Sequence, residues 1–511
     1  MNEKNMNIPK EKFQFAKDVT LHDKKLDTKP VGYFKDAFNR FKKNKGSLVA
    51  AFIILFLVLF ALIAPIVSPY TVEYKDEYFA YCSPKSNMSE KFGWDFWDGC
   101  KEETVNESDF VRYQAMGEET GHFPIKNGKF TKYKDGSKNM YKIRLDTYEM
   151  KGVVFMNVTL DQYENIQKYQ DETGRQVIYP ITEKTLRPQA FQDEKDANYW
   201  FQTKVYKGKT TAIYDQNDQL IPAYKAYTGT DGYTSKVRID GDENKYDYSI
   251  ANETGKEIRI QYYEYYVYYH TYVLKDGIAK PVVWFGSPRL GQDIFTRLGG
   301  GAQLSFMIAL LVSAVNMVVG AIYGAIEGYY GGKTDLIMER FSEILNAVPF
   351  MIVITLLKMH MRGSSQLLIL FIAFFLTGWI GMAGTVRMQF YRFKNQEYVL
   401  AARTLGARDR RIMFKHIFPN SLGTIITSSV LTIPGMIFSE SSLSYLGIIN
   451  LNTGSMTSVG NMLSSAQPYL STYPYMIVFP ALFISLLMLS FNLFGNGLRD
   501  AFNPSLRGTE E

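Results

Sequence analysis

The sequence predicts an all-α polytopic membrane protein of six transmembrane helices, interrupted by an inserted α+β extracytoplasmic domain. Three observations predict it. The 511 residues form two populations, with 48–69 and 300–496 strongly apolar and 70–282 polar, charged and crowded with tyrosine. The mean hydropathy of −0.15 averages over both and hides the division. The apolar part breaks into segments of about 20 residues, the length that crosses a hydrocarbon core of about 30 Å. Finally, cations collect in alternate connections, as the positive-inside rule requires. The net charge of +6 is modest and sits largely in membrane-flanking loops, which argues for topology rather than nucleic-acid binding.

The elements follow in chain order. Residues 1–46 read as a cytoplasmic N-terminal segment. Its first thirty residues, mixed in charge, read as flexible. Residues 33–46 read as a helix at the membrane face, with Tyr33, Phe34, Phe38 and Phe41 towards lipid or a neighbouring span. The first transmembrane helix occupies 47–69, with Leu48–Val67 apolar and Lys42, Lys43 and Lys45 holding its start in the cytoplasm. Pro65 and Pro69 follow without a small-residue cleavage pattern, which speaks against a signal peptide.

The insert, 70–283, has no apolar run long enough to span. Strand-like stretches at Met140–Leu145, Val153–Leu160, Lys204–Tyr214, Lys236–Ile239 and Ile258–Leu274 alternate with turn signals such as Asp215–Asp218 and Asp240-Gly241. Residues 160–172 look helical. About 200 residues suffice to bury a core. Cys82 and Cys100 lie in this block, and a disulfide is feasible outside the cell, with two free thiols the alternative. In Tyr262–Tyr272, YYEYYVYYHTY, the rings serve either as a stacking surface for a peptide or binding protein, or as interfacial and internal packing; packing is the favoured reading.

Residues 284–505 hold five further helices, over Ala302–Ile326, Ile344–Leu357, Leu367–Val386, Leu422–Leu446 and Tyr475–Phe494, and 506–511 form a cytoplasmic tail. Gly320 and Gly324 suit close helix packing. The inner loops then carry Lys333, Arg340, Arg387, Arg392 and Lys394, whereas the outer loop Gly447–Tyr473 has no Lys or Arg. Both termini fall inside, with residues 70–283 outside.

One connection is unusual. Residues 397–420, EYVLAARTLGARDRRIMFKHIFPN, are rich in helix formers although they join two spans. Ala401, Ala402, Leu405, Ile412, Phe414 and Ile417 give an apolar side, and Arg403, Arg408, Arg410, Arg411 and Lys415 crowd the remainder. The pattern predicts two short helices, broken at Gly406–Ala407 and stopped by Pro419. A helix held crosswise at the membrane surface can pass force from a soluble partner to the spans on either side.

At these residues the chain resembles the membrane permease of an ATP-binding-cassette importer. The family's coupling loop runs Glu-Ala-Ala, three residues, Gly, then Ile and Pro; here Ala401, Ala402, Gly406, Ile412 and Pro419 hold those places, with Ala407 after the glycine. Leu400 replaces the motif's acid, and Glu397 lies one turn earlier. YVLAARTLGA and HIFPN look like the oligopeptide/dipeptide/nickel branch, specifically its second, C-type subunit. Phe285–Arg297 resembles the signature ahead of the second span, keeping Gly286, Gly291 and Asp293, while Pro288 and Gln292 depart from the usual acid and arginine. Gly328–Asp335 resembles a further signature.

The resemblance implies a type I importer fold in the plasma membrane of a bacterium. It implies a sister permease, two cytosolic ATP-binding subunits, an extracytoplasmic peptide-binding protein and a short peptide as cargo. ATP and Mg would be bound by the partners, and this chain would bind no cofactor. Glu440, in Glu-x-x-Leu-Ser-x-Leu-Gly, is expected to line the translocation path or pair across the dimer interface, with a charge near the outer interface bonded to neighbouring hydroxyls as the alternative. Nickel or another small solute as cargo, and a membrane receptor sensing ligand through the insert, are the other readings.

Other chemistry is not indicated. Gly208-Lys209-Thr210 and Gly332-Lys333-Thr334 mimic the end of a phosphate loop, but Thr203 and Glu327 stand where its first glycine belongs. His22, His122, His270, His360 and His416 show no metal-ligand spacing, and no cluster suggests a catalytic site.

Overall fold

A computed structural model describes residues 33–136, 138–179, 181, 203–206, 209–217, 237–238, 246–452 and 456–502. The N-terminal segment up to residue 32, His22 with it, and the tail 506–511 lie outside the described residues. Among the described residues, five helices are long and apolar enough to cross a membrane: span 1, Lys45–Val67; span 2, Ile294–Tyr330; span 4, Gln366–Phe393; span 5, Asp409–Tyr445; and span 6, Tyr475–Phe502. Gly332–Asn346 and Phe350–His360 meet at a bend of 73° and make a sixth, broken crossing if taken together, here span 3. Pro349 stands at that bend, where its ring and missing N–H prevent a continuous helix.

Spans 2 and 4 form the tightest pair. Gly320, Gly324 and Gly328 recur every four residues along one face of span 2. A Cβ at Gly324 would collide with the carbonyl oxygen of Ala383, and one at Gly328 would come within 2.7 Å of that of Arg387. The bare backbone lets the helices touch where no hydrophobic force draws them together. Span 1 docks on span 6. Phe41 packs edge-on against Phe494 at 5.2 Å. Ser47 Oγ donates to the Leu493 carbonyl at 3.2 Å. Phe38, in contrast, is exposed.

Between spans 1 and 2 the chain builds sheets. Strands β1 (Cys100–Asn106), β2 (Ile125–Asp135) and β3 (Lys138–Asp146) form an antiparallel sheet in the order β1-β3-β2. β4 (Val153–Val158), β5 (Ile178–Tyr179), β10 (Ser249–Asn252) and β11 (Gly255–Gln261) form a second, with β11 pairing each of the other three. β6 (Thr203–Tyr206) with β7 (Lys209–Ala212), and β8 (Val237–Arg238) with β9 (Tyr246–Asp247), make two hairpins. The single strand expected over Lys204–Tyr214 is therefore a hairpin. Helices Glu107–Thr120 and Leu160–Thr173 complete an α+β unit; Thr159 and Gln162 close the second with a capping box.

The tyrosine run is not a strand. β11 ends at Gln261, and Tyr262–Tyr268 is α-helical, followed by a wide π turn over Tyr269–Leu274. Gln261 starts the helix, its side-chain oxygen accepting from the N–H groups of Tyr263 and Glu264. Helical spacing sends Tyr262, Tyr263, Tyr266 and Tyr268 into one core with Tyr70, Phe79, Tyr148, Ile166 and Ile258. Tyr262 Oη donates to Asp76 at 2.9 Å, and Tyr266 Oη to Tyr70 Oη at 3.1 Å. The rings pack, as favoured.

The two ends of this unit meet at the signature before span 2. Asp293 caps that helix, accepting from the N–H groups of Phe295 and Thr296 at 3.2 and 3.1 Å. Gly291, at φ +64°, lies directly against the Asp76 carbonyl, where no side chain fits. Gln292 accepts from Arg297, so the departure from arginine leaves a hydrogen bond in place. Cys82 and Cys100 carry free thiols rather than a bridge. Cys82 Sγ faces the Thr147 carbonyl and Cys100 Sγ that of Asp98, and burial pushes the thiols up to about 11 and about 12.

A charged knot ties the unit together. His122 lies between Glu149, at 2.6 Å, and Glu264, at 3.0 Å. Arg175 grips Glu264 from the other side at 2.8 and 2.9 Å. Burial pulls the His122 pKa down, but its bonds to Glu149 and then Glu264 outweigh that and hold it at about 9, against an ordinary 6.5. Burial raises Glu264, yet His122 and Arg175 keep it below its ordinary range.

Two outcomes are expected. Gly324→Ala lowers the melting temperature of the purified protein, by overpacking on the order of 1–3 kcal/mol. Gly384→Ala, where a Cβ meets nothing within 4 Å, does not lower it. For His122 the folded pKa lies above the unfolded one, so its stabilisation is complete below 6.5 and lost as pH rises through about 9. Hydrogen exchange of the full chain, corrected for its intrinsic pH dependence, should show protection around residues 119–124 and 261–268 falling over that window in the wild type. His122→Gln should flatten the trend.

Candidate functional site: a cationic crosspiece at the span ends

The segment between spans 4 and 5 begins with an exposed acid, Glu397, in the first turn of helix Glu397–Thr404, where the helix dipole favours it. The helix ends in a Schellman closure: Ala407 N–H donates to the Ala402 carbonyl and Gly406 N–H to that of Arg403, both at 3.0 Å. That closure needs a left-handed residue at the turn, and Gly406 supplies φ +76°. The spacing of Ala402, Gly406 and Ala407 is thus a helix stop with its small-residue contact. The break falls where the sequence places it.

Pro419 does not stop the second helix. Asp409–Arg411 runs through a π-helical stretch, Ile412–Ile417, into span 5, and Pro419 lies near the start of the continuing α-helix. The wider π turn accommodates a residue that cannot donate to the turn before it. Nor do the apolar residues share one side. Ile412, Met413 and Ile417 are buried with Ala321, Ala325 and Tyr329 of span 2 and Met382, Val386 and Phe390 of span 4. Leu400, Leu405 and Phe414 face outwards, Leu405 at 88 % exposure. Ala401 is exposed and Ala402 half-buried. A groove lined by Arg408, Arg410, Arg411, Phe414, Lys415 and Pro419 runs along the outer surface. One face of the crosspiece is a plug in the helix bundle; the other is cationic with apolar points.

Polar contacts fix it further. Tyr329 Oη, at the end of span 2, donates to Asp409 Oδ1 at 2.7 Å, and the Arg403 guanidinium lies 5.8 Å above the same ring. Beside them Arg387 binds two carboxylates at once. Its Nε and Nη2 reach Asp335 at 2.6 and 3.0 Å, and its Nη1 and Nη2 reach Glu339 at 2.9 Å each. Glu327 approaches within 3.6 Å, Tyr391 donates to Asp335, and Lys394 Nζ donates to the Gly328 carbonyl at 3.1 Å. Sequence reasoning counted Arg387 as a loop cation. It is instead the centre of a clamp joining spans 2, 3 and 4. The available signal was a guanidinium at the end of an apolar run, with Asp335 and Glu339 one turn apart to receive it.

Glu440 lies far from this surface and is 1 % exposed. Its carboxylate accepts from Ser305 and Ser444 at 3.0 Å and from Ser441 at 3.4 Å. Spans 2 and 5 and Ser458 enclose it, and its carboxyl is bonded to these neighbouring hydroxyls. Hydrogen bonds remove the cost of a bare carboxyl there.

Apolar crossings, a charged clamp at their ends and a two-faced crosspiece define a polytopic membrane protein, and comparison with known proteins shows it to be a transport permease. Residues 317–508 match the family model described as "Binding-protein-dependent transport system inner membrane component", and residues 32–84 that of the "N-terminal TM domain of oligopeptide transport permease C". The oligopeptide transport system permease protein OppC of Bacillus subtilis is 45 % identical over 224 residues, covering 44 % of this chain and 72 % of that one. The dipeptide transport system permease protein DppC of the same organism is 42 % identical over 225 residues, covering 44 % and 69 %. OppC of Escherichia coli K12 is 36 % identical over 224 residues, covering 44 % and 73 %. The chain belongs to the family of binding-protein-dependent transport system inner membrane components. Neither family model includes residues 85–316.

Arg387→Gln removes the counter-charge of Asp335, Glu339 and Glu327 together, and should lower the melting temperature of the purified protein by the equivalent of about 1.5–3 kcal/mol. Arg387→Lys keeps the charge without the fork and should fall between that variant and the wild type.

Proposed function

We propose that this chain is a C-type membrane permease subunit, of type I importer fold, in an ATP-driven importer of short peptides. The observation that carries the reading is the two-faced crosspiece. Ile412, Met413 and Ile417 plug it into spans 2 and 4, while Leu400, Leu405, Phe414 and the groove cations stay free for a second body. A cytosolic ATPase docked there moves the span ends when it closes on ATP and Mg. The glycine closure and Ile412 keep the lever's shape; Glu397, Ala401, Ala402, Ala407 and Pro419 belong to the same coupling segment.

The assembly contains a sister permease, two ATP-binding subunits and an extracytoplasmic peptide-binding protein, in the plasma membrane of a bacterium. Both termini lie in the cytoplasm. The cation-free connection 447–473 and the cationic crosspiece support this orientation, which puts 70–283 outside, above the mouth of the path. There the insert can dock the binding protein or guard the entrance. Glu440 braces spans 2 and 5. Peptide as cargo rests on the relatives named for oligopeptide and dipeptide transport. Nickel or another small solute would use the same subunit. A ligand-sensing receptor would explain the insert but leave the crosspiece without a task.

The test is uptake by the reconstituted complex. Labelled short peptides should enter vesicles only with ATP, all partners and the binding protein present. Gly406→Pro should reduce uptake to background while binding-protein capture persists, because proline cannot take a positive φ. Nickel uptake without peptide uptake would replace the cargo. ATP hydrolysis by this chain alone, or labelling of Arg403–Lys415 from outside, would overturn the reading.

A further inference from the structure

The insert carries an aromatic ladder that the transport reading does not use. Helix Asn87–Phe92 stops at Gly93, and Trp94-Asp95-Phe96-Trp97 follows. The Phe92 and Trp94 rings stack at 5.3 Å, and those of Trp94 and Phe96 at 5.1 Å. Trp97 stacks on Phe285 at 6.4 Å and on Phe479 at 6.1 Å, and those two rings stack on each other at 4.1 Å. All four rings of the ladder are exposed, Phe92 and Phe96 by 61 % and 58 %. One exposed aromatic needs no explanation; four within six residues, Phe92, Trp94 and Phe96 stacked in series and Trp97 stacked on Phe285 and Phe479, form an apolar patch that a water-facing domain would not keep.

Its position says what it meets. Phe479 belongs to the first turns of span 6, and its neighbours Val478 and Leu482 are exposed on the flank of that helix. Trp284 and Phe285 pack edge-on against Phe295 in the first turn of span 2, and Phe295 against Phe60 of span 1. The patch is therefore continuous with the outer flanks of membrane-crossing helices, at the level where they end. Its charge is balanced. Arg144 pairs with Asp95 and Asp98, each at 2.9 Å, and Lys126 lies 3.6 Å from Asp98. Between the stacked Trp94 and Phe96, Asp95 turns its carboxylate to Arg144 of β3.

We propose that Phe92, Trp94, Phe96 and Trp97 seat in the headgroup-level interface of the lipid bilayer and anchor the insert beside spans 1, 2 and 6. Tryptophan rings prefer that layer, where an apolar body and an N–H donor are both satisfied. The inference goes beyond peptide import and needs only the membrane embedding of the spans.

The complete transporter is reconstituted into phosphatidylcholine vesicles with and without bromine at acyl positions near the headgroup. Tryptophan emission of Trp94→Phe, which keeps a ring in place, is subtracted from that of the wild type. The Trp94 component should fall about twofold in brominated vesicles and resist aqueous iodide. Quenching by iodide but not by bromine would place the ladder in water, and quenching by neither would place it under another protein; both overturn the proposal. Trp284→Phe, analysed likewise, shows whether the span ends themselves are seated. A complex that fails to carry peptide yet shows bromine quenching leaves the anchor standing and refutes only the cargo.

Discussion

The structure of the membrane part depends on one guanidinium. Arg387 holds Asp335 and Glu339 in a double fork while Glu327 stands 3.6 Å away. Three acids so close would repel one another and drive the ends of spans 2 and 3 apart. The fork turns that repulsion into cohesion and fixes the planes of both carboxylates, which an ammonium would not do. It lies beside the glycine face of span 2, where the backbones of Gly328 and Arg387 touch. Close helix approach and charge pairing thus reinforce each other over the same few residues.

This fixed corner is also the seat of the crosspiece. A lever transmits force only if its bearing is stiffer than itself. Ile412, Met413 and Ile417 are set into the corner, and Tyr329 holds Asp409 from the end of span 2. The exposed side is dominated by cations, with Leu400, Leu405 and Phe414 as apolar points among them. On the proposed coupling role, rigidity on one face and open contact surface on the other would carry a displacement at Leu405 to spans 2, 4 and 5 together.

The insert is built on the same economy at its junctions. Its two ends return to one seam, where Asp76 accepts from Tyr262 and its carbonyl lies against Gly291. The seam lies next to Asp293, the cap of span 2. The insert is therefore tied to the start of a crossing helix rather than hung from a loose linker. The buried tyrosines add their ring area and satisfy one another's hydroxyls, which is how so polar a composition still yields a core.

Much of this was legible in the sequence, for local reasons. Apolar length set the crossings, because a bilayer accepts only segments that satisfy their own backbone. Gly406 set the break in the crosspiece, because a left-handed turn tolerates little else. The helix over residues 160–172 and the strands β3 and β4 followed from neighbouring residues alone. What the sequence did not determine depends on distant partners. The tyrosine run became a helix because a core was waiting for one of its faces. Pro419 continued a helix because a π stretch widened to admit it. Glu440 turned inward to Ser305, 135 residues away, and Arg387 left the loops to meet Asp335 across 52 residues. Periodicity and spacing report a residue's neighbours along the chain, whereas only the packed structure brings together charges whose pairing repays their burial.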